Sequence, residues 1–96
     1  MLELLFEQNR YMAVVFLDQD GIIQYLNETY LKILDLPRHE VVGKHVLDIT
    51  PHSRAYITLQ TGKAKVGYEW VVNGHYTLGT ALPIFQDDKV IGVFGY

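Results

Sequence analysis

Asn73-Gly74, set between two apolar runs, constrains this chain more than any other feature. A two-residue hairpin turn of the favoured hand needs positive φ at both central positions, which Asn tolerates and Gly adopts freely. The pair predicts strands over Val66–Val72 and His75–Ile84. In that register Val72 faces His75, Val71 faces Tyr76 and Trp70 faces Thr77. One face of the hairpin then carries Tyr68, Trp70, Val72, His75, Thr77, Gly79 and Ala81. The other carries Glu69, Val71, Tyr76, Leu78, Thr80 and Leu82. An antiparallel sheet with one solvated face alternates apolar with polar residues, but here both faces are substantially apolar. The second face therefore needs cover. Gly79 and Ala81 are small and would leave room beside Trp70, so the first face is assigned inward.

Elements on either side extend this picture. Tyr11–Leu17 and Ile22–Leu26 read as two strands around the turn Asp18-Gln19-Asp20-Gly21. Asn27 is a favoured N-cap for a helix over Glu28–Leu34, and Glu28 suits the positive end of its dipole. Pro37 is expected to stop that helix by disfavouring helical backbone at Leu36. Short helical turns follow over 38–42, closed by Gly43, and over 45–49, stopped by Pro51. Ser53 caps a longer helix over Arg54–Thr61, ended by Gly62. Asp87-Asp88 turns the chain into a last strand, Val90–Tyr96. Ahead of all this, Leu2, Leu5 and Phe6 recur at helical spacing in an amphipathic segment over residues 1–9. A helix that short needs a receiving surface, either the domain's own core or a second copy.

Strands and helices are thus segregated, which gives an α+β fold with a five-stranded antiparallel sheet, short helices over one face and an N-terminal helix. Residues 1–96 form one domain, with the core over 11–96. The chain stops inside its last strand, which suggests a piece cut from a longer protein.

Composition narrows the function. The net charge is −3 and the densest basic cluster is Lys63 and Lys65, so no nucleic-acid footprint is present. There is no cysteine, which excludes disulfides, thiolate metal sites and a cysteine nucleophile. No apolar run approaches the roughly 20 residues of a membrane span. His39, His45, His52 and His75 lack the spacing of a helical metal pair. Ser53 has no nucleophile elbow around it and reads as a helix cap. Asp87 and Asp88 are turn residues, and no acid–base pair is identifiable, so no enzyme is expected.

Three stretches carry a family resemblance. Asp18-Gln19-Asp20-Gly21-Ile22-Ile23-Gln24-Tyr25-Leu26-Asn27, Val42-Gly43-Lys44 and Lys89-Val90-Ile91-Gly92 resemble the first hairpin, the joint after the first helices and the last strand of PAS domains. More narrowly, Val42-Gly43-Lys44-His45-Val46, Thr61-Gly62-Lys63-Ala64 and Leu82-Pro83-Ile84 resemble the PAS domains ahead of the AAA+ module in sigma-54-dependent transcriptional activators. The resemblance implies a cytoplasmic sensory domain. It implies homodimerisation, a small-molecule pocket between sheet and helices, and a downstream effector: AAA+ and DNA-binding modules in the sigma-54 case. Neither haem nor flavin photochemistry is expected. His52 precedes the helix that carries the iron ligand in haem-binding relatives, and the reactive cysteine of light-sensing flavin relatives is missing.

Tyr25, Tyr30, Leu34, Arg54, Tyr56, Trp70, Thr77 and Ala81 are the expected ligand-binding set. Buried tyrosines want hydroxyl partners, so Tyr25, Tyr30, Tyr56, Tyr68, Trp70 and Tyr76 either surround a polar ligand or are ordinary core and rim aromatics. Arg54 sits where a helix dipole prefers an anion. It is either an anion-pairing residue at the pocket mouth or a solvated charge. Leu2, Leu5, Phe6, Tyr76 and Leu78 are the expected dimer surface, and a ligand-free dimerisation or protein-interaction domain is the alternative function.

Overall fold

The computed structural model describes residues 12–96. Leu2, Leu5 and Phe6, with the helix expected over 1–9, lie outside the described residues. The chain runs β1 (Val15–Asp18), β2 (Ile23–Leu26), α1 (Glu28–Leu34), a 3-10 turn (Arg38–Glu40), α2 (Val46–Ile49), α3 (Arg54–Thr61), β3 (Lys65–Val72), β4 (His75–Gln86) and β5 (Lys89–Gly95). The strands form one antiparallel sheet in the order β2-β1-β5-β4-β3. The first and last strands therefore meet in the middle, and the helical segment crosses one face between β2 and β3.

The hairpin at Asn73-Gly74 has the expected register: Val72 pairs with His75, Val71 with Tyr76 and Trp70 with Thr77. Asn73 (φ 49°) and Gly74 (φ 78°) are both left-handed, as the turn demands. The Asn73 amide also donates to the carbonyls of Ile33 (3.2 Å) and Leu34 (2.8 Å). The hairpin tip thus satisfies two carbonyls at the C-terminal end of α1 that the helix leaves without partners.

Each helix has a local reason to start and stop. Asn27 caps α1 and accepts from the Tyr30 N–H. Pro37 does not end α1, as the sequence suggested; Asp35 does, turning left-handed (φ 57°) and closing back on the Leu31 carbonyl. His45 caps α2 through Nδ1, which accepts from the Leu47 N–H at 3.1 Å. Ser53 caps α3, and Gly62 (φ 70°) closes it. The free edge of β2 is covered by the loop into α2: Gly43 N–H donates to Ile23 O (2.8 Å), Ile23 N–H to Lys44 O (2.9 Å) and Val46 N–H to Gly21 O (2.8 Å). That cover removes a template for edge pairing.

The core lies between the sheet and the helices. Val15, Leu17, Ile23, Leu26, Leu31, Leu34, Val41, Val46, Ala55, Ala81 and Val93 are buried there as one cluster. α3 lies across β5 and β4, with Ala55 and Thr58 turned toward them.

Two bulges decide which side chains face the helices. In the β1–β2 pair Phe16 opposes Tyr25 and Leu17 opposes Ile23, so Gln24 is an extra residue. Strict alternation would put Ile23 and Tyr25 on one face; the bulge sends Tyr25 to the other. In β3, Gly67 (φ 67°) is the extra residue between Val66, opposite Thr80, and Tyr68, opposite Gly79. Val66 is thereby turned to the back, where it is 77% exposed, while Tyr68 joins Trp70 on the inner face. The back of the sheet bears an aromatic row: Tyr25–Phe16 ring centroids are 6.3 Å apart, Phe16–Phe94 4.7 Å and Phe94–Tyr96 5.4 Å.

Candidate functional site

Between the inner face of the sheet and the start of α3 lies a hollow of about 180 Å³. Tyr68, Trp70, Thr77, Gly79 and Gly95 belong to its sheet side. Ser53, Arg54 and Ala55 line it from the start of α3, Tyr30 from α1, and Met12 and Ala13 from the strand leading into β1. Met12 and Ala13 are held to α1 by Asn27, which is fully buried. Its Oδ1 accepts from Val14 N–H (3.0 Å) and Tyr30 N–H (3.1 Å), and its Nδ2 donates to Met12 O (2.6 Å).

The Tyr30 and Trp70 rings meet edge to face, 5.1 Å between centroids and 61° between planes, a favoured aromatic geometry. Burial pushes the Tyr30 hydroxyl well above the ordinary tyrosine range. The neighbouring Tyr68 pushes the same way, and a hydrogen bond from Thr50 opposes them. Burial also raises Tyr68, while the nearby Arg54 guanidinium pulls it down. Both phenols are therefore protonated at neutral pH and present O–H groups. Among the described residues, Arg54 makes no ion pair, and no Asp, Glu or His lines the hollow. Nor does any group of three His, Asp or Glu residues there form a metal-binding cluster.

The structure brings Tyr30, Arg54, Trp70 and Thr77 together in the hollow and places the other expected ligand residues elsewhere. Tyr25 is on the back of the sheet, against Phe16 and with the Arg38 guanidinium carbon 5.8 Å from its ring centroid. Leu34 is a core residue and does not line the hollow. Tyr56 packs on His45, 5.2 Å between ring centroids. Ala81 is fully buried in the core. The space expected beside Gly79 is partly taken: a Cβ there would come within 2.8 Å of the Tyr68 ring. That ring lies over the glycine opposite it, a pairing that shields otherwise bare backbone. Ser53 caps α3 as expected, with Oγ accepting from Tyr56 N–H at 3.2 Å, but it also lines the hollow. Cap position alone does not signal that second role. Tyr68 is expected from the sequence on the inner face with Trp70 but not in the ligand set; Met12 and Ala13 carry no signal.

Tyr76 and Leu78 are outward by register, though Leu78 also borders the hollow. They are 64% and 62% exposed, beside Val71 at 64%.

A model of the PAS fold matches residues 6–65, and the chain belongs to the PAS family. It is 26% identical over 87 residues to the sensor protein CitS of Halalkalibacterium halodurans. The match takes in 88% of this chain and 16% of that protein, so the chain spans a small part of its relative. Among solved structures it resembles the PAS domain of nitrogen regulation protein NR(II) from Vibrio parahaemolyticus, with TM-score 0.68 and 18% identity over 99% of this chain and 94% of that one. It also resembles a sensory box sensor histidine kinase from Vibrio cholerae, with TM-score 0.67 and 20% identity over 98% and 83%. A PAS sensory domain, of the kind found in sensor histidine kinases, is what the fold and these relatives define. The resemblance to sigma-54-dependent activators is not shown by these relatives.

Proposed function

We propose that this PAS domain binds a small organic molecule in the hollow beneath α3 and passes the change to a downstream effector. The observation that carries this is the hollow itself: about 180 Å³, lined by Trp70 and Tyr30 together with Ser53, Arg54, Tyr68 and Thr77. Its size falls below the roughly 300 Å³ of a site for a drug-sized ligand, which favours a compact ligand over haem or flavin. The domain binds and does not catalyse in this reading, because its phenols are held protonated and no general base lines the space among the described residues. Ligand binding shifts an effector only by favouring one of two arrangements of the molecule. The relatives favour a sensor kinase as the setting over the sigma-54 activator suggested by Val42-Gly43-Lys44, and a cytoplasmic location is part of this proposal.

Native mass spectrometry of the purified chain tests the proposal. A bound small molecule, released by Trp70→Ala in a variant that still folds, supports it; an empty chain that binds nothing from a metabolite panel contradicts it.

A second reading has its own observation. Val66, Val71, Tyr76 and Leu78 expose apolar surface together on the back of β3 and β4, which favours homodimerisation through that face. Analytical ultracentrifugation tests it: Leu78→Glu should shift a dimer to monomer.

A further inference from the structure

The hollow has an uneven charge inventory. Arg54 is a permanent cation, and among the described lining residues there is no carboxylate to answer it. Arg54 also gains nothing from its own helix, since it stands in the first turn of α3, where the dipole repels a cation. Around it the hydroxyls can donate. The Ser53 Oγ spends a lone pair on the Tyr56 N–H and keeps its proton. Tyr68 lies close enough for Arg54 to influence its hydroxyl, and the Tyr30 phenol is protonated. Trp70 and Tyr30 supply flat apolar walls.

We infer that the site selects a compact monocarboxylate with a planar apolar body, its carboxylate on Arg54 and Ser53 and its body against Trp70. This rests on the ligand-binding reading above and narrows it. Size sets the upper limit: a cavity of roughly 150 Å³ accommodates benzene, so about 180 Å³ takes an acid of benzoate size. Charge sets the other limit. A dicarboxylate such as succinate brings a second negative charge for which the described lining residues offer no second cation, and an organic cation meets Arg54 head on.

Trp70 is the only tryptophan of the chain, so its fluorescence reports from the wall of the site. The experiment titrates the 96-residue chain with sodium benzoate, benzamide and succinate and follows Trp70 emission. Benzoate should bind about tenfold or more tightly than benzamide, the difference expected between a charge-assisted and a neutral hydrogen bond, and succinate should bind more weakly than benzoate. Arg54→Gln should bring benzoate down to the affinity of benzamide. That variant should stay folded, since it removes an exposed cation from the wrong end of a helix. Equal binding of benzoate and benzamide, or a preference that survives Arg54→Gln, overturns the inference while leaving a ligand site in place. Silence from all three probes overturns the inference too, and the ligand site then stands or falls on native mass spectrometry and the metabolite panel.

Discussion

Removing the side chain of Asn27 should unfasten the wall of the hollow at a cost that can be worked from its bonds. Asn27→Ala deletes the cap on α1, worth about 1 kcal/mol, with the bond to Tyr30 N–H at 3.1 Å. It also strands the N–H of Val14, a residue with no exposure. A buried donor left without a partner costs about 1–3 kcal/mol. The Met12 carbonyl loses its 2.6 Å bond as well, though partial exposure lets water recover some of that loss. The total is about 3–4 kcal/mol, a large share of the roughly 5–15 kcal/mol that holds a domain together. For a chain of this size each kcal/mol moves the melting midpoint by about 4–8 °C, so Asn27→Ala should melt some 12 °C or more below the parent. Urea titration followed by circular dichroism measures the same loss as a lower midpoint at unchanged slope. Asn27→Ser keeps a capping oxygen but is too short to reach Met12, and should fall between the two. A loss under about 1 kcal/mol for the alanine variant would refute the reasoning, because the three bonds would then not be holding residues 12–14 to α1.

Three further outcomes follow from the same structure. Tyr30 has a folded pKa raised above its unfolded value by burial, so the folded state keeps a proton that the unfolded state releases. Its contribution is complete below about pH 10 and is lost as pH rises from there toward the folded value; urea midpoints at pH 8, 9.5 and 10.5 should fall less steeply in Tyr30→Phe. Asn73→Ala removes both bonds to the end of α1 and puts a less tolerant residue at φ 49°, so thermal melts should show a loss of about 1–2 kcal/mol. Gly79→Ala places a Cβ 2.8 Å from the Tyr68 ring. It should push that ring toward the hollow, and ligand affinity should fall further than stability does.

Much of the fold was legible because the strongest signals were local. Asn73-Gly74 fixed a register that the structure reproduces residue for residue, and Asn27, Ser53 and Gly62 marked helix ends correctly. What failed lay where one residue breaks a period. The bulge at Gln24 reverses Tyr25, and no turn residue in Ile23-Gln24-Tyr25 announces it. α1 ends on a left-handed Asp35 rather than at Pro37, a conformation that Asp adopts with no obligatory signature. Half of the expected ligand set lines the hollow, in part for the same reason. Trp70 and Thr77 followed from alternation along a hairpin of known register. Tyr56 shares α3 with Arg54, yet its ring packs against His45 of a different loop, a tertiary choice that helix periodicity does not encode.

Amide chemical-shift mapping of the chain with a bound small-molecule probe asks most directly whether the space under α3 is the binding site. The account predicts shifts that cluster at Ser53–Ala55, Tyr68, Trp70, Thr77 and Gly79. Shifts confined to Val66, Val71 and Tyr76 on the back of the sheet would contradict it.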